Sequence, residues 1–316
     1  MSKVIRGVKH SKKNWGDSVN LFIFQKLSGI EDTTFIPFQE RKKNHQQDHY
    51  IMCGSIMRLT NSHSIIWGTG FISNVDCIGM NTWTDDKKHS NKVGSKPKQI
   101  CAVRGPKTRD KLMAMGITEC PEVYGDPVIL FRFFYNPKNI VKKYKIGIIP
   151  NYIDFHNIAI KQLKNKHPND ITIIDICKGH KLLEFVDEVL ECDMIFSSSL
   201  HGVIIGDVYG IPSYHVKLSS KVTGGRFKFE DYYLSVGREY KEYSASDINP
   251  EILSPTKNKG NNYRDCKMPE YKISFDYEKY AKSCPFIDEK ICEELIAFYT
   301  AGTILNGTIL EIDKQL

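Results

Sequence analysis

Apolar residues along this chain occur alternately in short runs and at helical spacing. The runs fall at residues 3–8, 50–53, 65–67 and 99–103, and they are typical of buried strands. Between the first two runs, residues 19–27 place apolar side chains at helical spacing, which predicts a helix with Asp17 or Ser18 as its N-cap. Pro106 opens another predicted helix, which ends at Gly116.

The same alternation continues in the second half of the chain. Strands are predicted at residues 144–149, 171–176, 193–196 and 213–216, with helices at 158–163, 182–189 and 202–209. A polar, proline-containing stretch at 136–139 is the predicted linker. We therefore expect an α/β protein with two Rossmann-like domains that face a cleft. The expected domains are residues 1–138 and 139–250, and residues 251–316 form a loop and an amphipathic helix that pack back across them.

Composition limits the class of protein. The chain has 316 residues, of which 41% are hydrophobic and 26% charged, and it has no apolar run of the roughly 20 residues that a membrane span needs. Arg6 lies within the first apolar stretch, so the beginning does not resemble a signal peptide. The nine cysteines are scattered without a Cys-x-x-Cys pair, which favours free thiols in the cytosol and no structural metal.

The formal net charge of +7 is mild for this length. It fits anionic ligands or peripheral association with an anionic membrane, and it fits equally well a lysine-rich, solvated surface. No basic stretch is interleaved with aromatic residues as in nucleic-acid grooves, so no nucleic-acid partner is expected.

Glycines and polar residues follow several predicted strands, where open α/β sheets bind ligands. At residues 14–20, free backbone amides could hold an anion or a sugar hydroxyl, although a capped helix after a glycine turn explains the same residues. Trp67 is a candidate to stack on a sugar, with core packing as the alternative. Arg104 stands at a strand end before the Pro106 helix and is a candidate carboxylate or phosphate clamp. Residues 124–127, Tyr-Gly-Asp-Pro, are most simply a turn.

Two later segments carry most of the candidate chemistry. Residues 197–202, Ser-Ser-Ser-Leu-His-Gly, lie between a predicted strand and a helix start, which places the His201 imidazole in the cleft as a candidate proton-transfer group. Residues 223–233 join two glycines to a basic, aromatic stretch that includes Arg226 and Lys228. This pattern indicates a mobile flap that carries cations to an anion, or a flexible surface loop.

Taken in order, these segments resemble the polysaccharide pyruvyltransferase family, especially its bacterial exopolysaccharide branch. The matching segments are Trp-Gly-Asp-Ser-Val-Asn at 15–20, Gly-Ser at 54–55, Trp-Gly-Thr-Gly-Phe at 67–71, Ala-Val-Arg-Gly-Pro-Lys-Thr at 102–108, Tyr-Gly-Asp-Pro at 124–127, 146–154, 197–212 and 227–235. Ser-Cys-Pro-Phe at 283–286 resembles the C-terminal Pro-Phe element of the family. Each segment is common by itself, and the ordered set is specific.

The resemblance implies a fold similar to GT-B glycosyltransferases, phosphoenolpyruvate as donor co-substrate, no metal or other cofactor, and His201 as the catalytic residue. Where many relatives have Pro-His-Tyr, this chain has Asn151, which can donate a hydrogen bond but carries no charge. His156 lies nearby in the sequence and could compensate for the missing histidine. The expected acceptor is a sugar hydroxyl pair, on a lipid-linked or nucleotide-linked precursor.

The site residues expected on this basis divide into three groups. His201 is the general acid/base. The donor-binding candidates are Arg104, Asn151, Ser198, Ser199, Arg226 and Lys228. The acceptor-binding candidates are Asp17, Asn20 and Trp67.

Two alternatives keep the same fold. A nucleotide-sugar glycosyltransferase would need an acidic ribose or diphosphate contact late in the second domain, for which Glu230 and Asp231 are available. A glycan-binding relative without activity is the other alternative, and Asn151 is the feature that favours it.

Overall fold

The structure is a computed structural model that describes residues 3–7, 14–37, 47–75, 78, 95–253 and 272–304. In these ranges the chain forms two five-stranded sheets whose paired strands are all parallel, in the orders β2-β1-β3-β4-β5 and β10-β9-β8-β6-β7. The strands are β1 Lys3–Gly7, β2 Thr33–Pro37, β3 His49–Ile51, β4 Ser64–Trp67, β5 Gln99–Ala102, β6 Tyr144–Ile149, β7 Ile171–Ile173, β8 Cys192–Ser197, β9 Ser213–Lys217 and β10 Glu242–Ser244. The predicted α/β class with Rossmann-like parallel sheets is confirmed, whereas the arrangement of two domains around a cleft stays a prediction.

Nine helices connect or flank these strands in the described ranges. They are α1 Trp15–Ser28, α2 Pro106–Ala114, α3 Phe131–Phe134, α4 Ile158–Lys166, α5 Leu182–Leu190, α6 Leu200–Val208, α7 Phe227–Ser235, α8 Tyr277–Lys282 and α9 Glu289–Ile304. Most follow a strand directly, as a parallel sheet requires, because its strands must return by a crossover. No helix within the described part of the chain is both long enough and apolar enough to cross a membrane.

The start of α1 differs from the sequence-based prediction. The N-cap is Asn14, whose side-chain oxygen accepts a hydrogen bond from the Gly16 amide at 3.0 Å, and neither Asp17 nor Ser18 caps the helix. Asp17 instead lies in the first turn, where its negative charge interacts favourably with the helix dipole. The helix ends at Ser28, and its C-cap Gly29 has the left-handed φ of 64° that glycine adopts at low cost.

The segment predicted as a flap is partly helical. Gly224 and Gly225 both have positive φ, and α7 begins two residues later at Phe227. α7 packs against α2, so it joins the second sheet's half of the chain to the first. Lys228 and the aromatic residues of the segment therefore belong to a docked helix, whereas Arg226 precedes the helix as its N-cap and is exposed.

One hydrophobic cluster includes residues from both halves of the chain. Trp15 at the start of α1 is fully buried in it; its backbone amide donates to the Ile176 carbonyl at 2.8 Å and its indole N–H to the Leu182 carbonyl at 2.9 Å. Burying a tryptophan side chain removes roughly 150–250 Å² from water, which corresponds to roughly 4–6 kcal/mol at about 25 cal/mol per Å². Trp15 thus holds α1 firmly against the second half. An irregular segment between α3 and β6 contains the predicted linker, and the domain boundaries themselves stay predictions.

The cysteines that the structure describes are all free thiols. Several lie in the core, and burial raises the pKa of Cys101 and Cys120 to about 11. These thiols stay protonated near neutral pH, so they pack as small apolar side chains.

Candidate active site

The loop between β8 and α6 is held in one conformation by its first serine. Ser197 Oγ lies 2.8 Å from the carbonyl oxygens of both Ile149 and Ser199, either of which can accept its single proton, and it accepts from the Ser199 amide at 3.0 Å. A Cβ at Gly202 would lie 2.3 Å from the same Oγ, so α6 approaches the loop closely because residue 202 is glycine. This packing fixes the direction in which the first turn of α6 presents its side chains.

His201 lies in the first turn of α6, and its side chain is 11% exposed. A Cβ at Gly16 would lie 1.9 Å from its Nδ1, 2.4 Å from Cε1 and 2.6 Å from Cγ, so the start of α1 packs against the face of the ring beside Nδ1. On the other edge, Nε2 lies 3.6 Å from Oδ2 of Asp126. Both of these atoms are buried without a hydrogen-bond partner in the described part of the chain. The candidate catalytic imidazole therefore stands between groups that belong to the first half of the chain.

Asp126 is a functional candidate that the sequence analysis treated as part of a turn. Its Oδ1 accepts from the Val128 amide at 3.1 Å and so caps the short helical turn Pro127–Leu130. The side chain is fully buried. In the sequence, Gly-Asp-Pro indicates only a turn. The proximity of the second carboxylate oxygen to His201 depends on the fold and cannot be predicted from these three residues.

Ser198 and Asn151 are brought together at the carboxyl ends of β8 and β6. Ser198 Oγ accepts from the Asn151 amide at 2.8 Å and donates to Asp154 Oδ2 at 3.2 Å. Asn151 Oδ1 accepts from the Ile153 amide at 3.1 Å, which leaves its side-chain NH₂ group without a protein acceptor among the described residues. Ser199 stands at the N-cap position of α6, yet its hydroxyl makes no capping bond. These two groups are available to donate to a ligand near the start of α6.

Lys228 is a buried cation on α7. Its Nζ donates to the Thr223 carbonyl at 3.2 Å, and in the described ranges no carboxylate pairs with it. Burial, with a smaller contribution from the Arg104 charge, lowers the pKa of Lys228 to about 8. Its neighbour Phe229 stacks on His215 at 3.5 Å between ring centroids, and His215 is the register partner of Ser197. Lys228 therefore lies on the side of the sheet where β8 and β9 end.

Among the described residues, the charge that shifts the pKa of Lys228 is the positive charge of Arg104. Burial lowers the pKa of His215 to about 3, and the positive charges of Lys228 and Lys217 add to this effect. His215 is therefore neutral at physiological pH and accepts or donates only as a neutral ring. A buried ammonium without a carboxylate beside it favours an incoming anion.

Arg104 and Arg226 occupy very different positions. Arg104 is fully buried, donates from Nε to Asp231 Oδ2 at 2.9 Å, and also contacts Ser55 Oγ at 2.7 Å and the Phe71 carbonyl at 2.6 Å. These protein contacts occupy its guanidinium, so its position favours a role in joining β5 to α7. Arg226 is exposed and pairs with Glu230, which also binds Lys107. Neither arginine has the unpaired, sheltered charge that Lys228 has.

The three acceptor candidates also differ in burial and in their contacts. Asp17 is half-buried, and its charge contributes to the raised pKa of Tyr152, behind burial, so it lies near the loop that contains Asn151. Asn20 is buried, and its Oδ1 accepts from the Cys53 amide at 2.9 Å. Trp67 is fully buried, stacks on Tyr280 at 4.7 Å and donates to Ser283 Oγ at 3.0 Å.

Asp17 thus lies near the loop that contains Asn151, and the Asn20 side chain donates to the carbonyl of Gly16, the residue that packs on His201. The Trp67 ring packs in the core and offers no surface on which a sugar could stack. In the described part of the chain, no group of three or more His, Cys, Asp or Glu side chains is arranged to hold a metal ion.

The fold and this site together define the class of protein. Parallel sheets carry an imidazole and a buried ammonium where strands end, as is typical of α/β enzymes that act on anionic ligands. The family described as polysaccharide pyruvyl transferase matches residues 3–220, and the chain belongs to this family of transferases. An uncharacterized protein of Acanthamoeba polyphaga mimivirus is similar to the chain, with 30% identity over 233 residues, which are 73% of each chain.

Proposed function

We propose that this protein transfers the enolpyruvyl unit of phosphoenolpyruvate to a pair of sugar hydroxyls and forms a pyruvate ketal on a polysaccharide or glycan precursor. The observation that carries the proposal is His201, a sheltered imidazole with no protein hydrogen bond in the described ranges, at the start of α6. Membership of the polysaccharide pyruvyl transferase family supports pyruvyl transfer as the reaction.

The donor has two negatively charged groups, and the site offers groups of the opposite kind. Lys228 supplies a buried positive charge. The first turn of α6 supplies the backbone N–H groups of Leu200 and His201, whereas those of Gly202 and Val203 donate to the Ser199 carbonyl. The helix dipole favours an anion at this end. Ser199 and the NH₂ group of Asn151 add neutral donors. We assign the phosphate and carboxylate of phosphoenolpyruvate to this set as a whole.

The reaction needs proton transfers that one imidazole can serve. A first sugar hydroxyl adds through its oxygen to C2 of the donor and loses its proton, while C3 gains a proton and becomes a methyl group. The C2–O bond to phosphate then breaks, and phosphate leaves with the bonding electrons. The second hydroxyl oxygen bonds to C2, its proton is released, and the cyclic ketal closes. His201 is the group proposed to accept and return protons in these steps.

Phosphate release and ketal formation test the proposal directly. With phosphoenolpyruvate and a panel of sugar acceptors, we expect release of inorganic phosphate and a new ketal methyl signal by NMR. His201→Ala should lower turnover by about 10²–10⁴-fold. The matched control is His180→Ala, which removes an exposed histidine of the same half of the chain and should leave turnover unchanged.

Ligand-induced stabilisation distinguishes the alternative donors. Phosphoenolpyruvate should raise the melting temperature of the protein, because a ligand that binds the native state stabilises it. Stabilisation by a nucleotide-sugar, with none by phosphoenolpyruvate alone or with acceptor, would contradict the proposal and favour a glycosyltransferase. Glycan binding with no product from any donor would favour the inactive relative.

A further inference from the structure

Asp126 and His201 face each other with one unpaired atom each. Asp126 Oδ2 and His201 Nε2 are 3.6 Å apart, and neither atom has a partner within normal hydrogen-bond geometry in the described part of the chain. The Cys53 thiol also lies near Asp126, whose carboxylate adds to the effect of burial and raises the pKa of that thiol. An unpaired buried polar atom destabilises the folded state. Because such atoms are uncommon in native proteins, two of them at this distance point to a role beyond stability.

We propose that Asp126 is a positioning residue, which accepts a hydrogen bond from Nε2–H of His201 and so makes Nδ1 the nitrogen that exchanges protons with the substrate. The inference rests on the proposed catalytic role of His201. Beyond that role, we identify Asp126 as the carboxylate that orients the ring and Nδ1 as the nitrogen that reacts.

The direction of the Asp126 carboxylate is set by the turn that it caps. Oδ1 accepts from the Val128 amide at 3.1 Å, so Oδ2 is the oxygen left to face His201. The turn Pro127–Leu130 is buried and packs against α6. A closure of about 0.5 Å between Oδ2 and Nε2 would bring them within hydrogen-bond distance.

The chemistry of the two groups then determines the tautomer. A carboxylate is only an acceptor, so a hydrogen bond to it requires the ring proton on Nε2. Nδ1 then carries the lone pair. Gly16 packs against the face of the ring beside Nδ1, and Nδ1, unlike Nε2, is not buried without a partner in the described ranges. Asp126, in the first half of the chain, would thus orient a ring that belongs to α6 in the second half.

Replacement of Asp126 by asparagine separates this role from helix capping. Asparagine caps helices as well as aspartate does, and its oxygen can keep the bond to the Val128 amide. Its NH₂ group would then face Nε2 and would favour the opposite tautomer, with the proton on Nδ1. Asp126→Ser also keeps a good cap, but its side chain is too short to reach His201.

Kinetics and NMR of the full chain test the inference together. We expect Asp126→Asn and Asp126→Ser to lower kcat by about 10²-fold or more, with KM for phosphoenolpyruvate within a few-fold and little change in melting temperature. In ¹⁵N-labelled protein, at a pH where the ring is neutral, His201 should carry its proton on Nε2 in the wild type and on Nδ1 in Asp126→Asn.

Two other outcomes would overturn it. A wild-type His201 with its proton on Nδ1 would contradict it, even if the variants fail to fold. Unchanged kcat in both folded variants would show that Asp126 only caps the turn. Full activity in His201→Ala would instead remove the proposed function itself, so the two failures can be told apart.

Discussion

The Cα of Gly16 faces the His201 ring so closely that a Cβ there would lie 1.9 Å from Nδ1, 2.4 Å from Cε1 and 2.6 Å from Cγ. Gly16 is a helical residue of α1 without positive φ, so its backbone conformation does not require glycine. Glycine is required here because the imidazole of His201 approaches so closely that a Cβ would not fit. The two ends of this contact come from different halves of the chain, and the contact makes the start of α1 one wall of the candidate site.

Gly16→Ala should therefore displace the His201 ring. Alanine is the better helix former by about 1 kcal/mol, so a loss of stability cannot come from helix propensity. We expect a fall in kcat, together with a destabilisation of about 1–3 kcal/mol from the overlap. Both are measured by steady-state kinetics and by denaturant unfolding.

A double-mutant cycle isolates the contact. In the His201→Ala background, Gly16→Ala should lose its destabilising effect, because no ring remains to be displaced. An equal loss of stability in both backgrounds would show that the crowding comes from other atoms. Unchanged kcat in the single variant would show that the ring position does not matter for turnover.

Lys228→Met should stabilise the protein in the absence of ligand. Between pH 8 and 10.5 the unfolded state binds more protons than the native state, because burial lowers the pKa of Lys228 from 10.5 to about 8. Stability of the wild type should therefore rise with pH in this window. At neutral pH, the difference between the native and unfolded pKa values of Lys228 corresponds to a loss of at most about 3 kcal/mol in the free energy of unfolding. The methionine variant should regain this free energy. Thermal unfolding at pH 7 and pH 9.5 measures both effects.

The matched control for this variant is Lys221→Met. Lys221 is exposed on the segment that leads to α7, so its replacement should leave the free energy of unfolding within about 0.5 kcal/mol of the wild type. A destabilised Lys228→Met protein would show that the ammonium is better compensated than its contacts indicate.

Donor affinity should fall as the pH rises through about 8. Only the protonated form of Lys228 attracts an anion, and its pKa of about 8 places the loss of charge there. A phosphate group loses its last proton near a pKa of roughly 6, so the donor itself does not change charge in this range. Calorimetric titration with phosphoenolpyruvate should show this fall in the wild type. Lys228→Met should bind roughly 10–100-fold more weakly at pH 7.

The pH profile of the variant completes this test. Lys228→Met should lack the loss of affinity near pH 8, whereas Lys221→Met should retain it. A wild-type profile that is flat between pH 7 and 9 would contradict an ionic contact between Lys228 and the donor.

The sequence predicted the repeating elements better than the positions of polar side chains. Strands such as β6 and β8 are buried apolar runs, so their pattern identifies them directly. β2 and β10 were missed, because Thr33–Pro37 and Glu242–Ser244 are short and less apolar. α7 was predicted as a flap, because the two glycines before it resemble a flexible loop more than the start of a docked helix.

The candidate site shows the same limit. His201 stood out because hydroxyl groups and an imidazole followed a strand, which is a local pattern. Asp126 could not be identified in the same way. It lies 75 positions before His201 in the chain, and the two side chains approach each other only because the turn at Pro127–Leu130 packs on α6. Arg104 was predicted to bind the donor because a charge at a strand end is visible in sequence, whereas its partner Asp231 is visible only in the fold.

Arg104 and Asp231 form a buried ion pair that we expect to be structural. Both side chains are fully buried, and Asp231 also accepts from the amide and hydroxyl of Thr108, at 2.9 and 2.7 Å. Arg104→Met should leave the Asp231 carboxylate buried without its counterion, which costs about 3–5 kcal/mol.

The exposed pair Lys282–Glu278 provides the comparison. Lys282→Met should leave the free energy of unfolding close to that of the wild type, because solvent screens an exposed ion pair. Since Arg104 also lowers the pKa of Lys228, its removal should shift the fall in donor affinity to higher pH. If Arg104→Met instead keeps wild-type stability and loses donor binding with no shift of the pH profile, the guanidinium contacts the donor directly, as the sequence alone suggested.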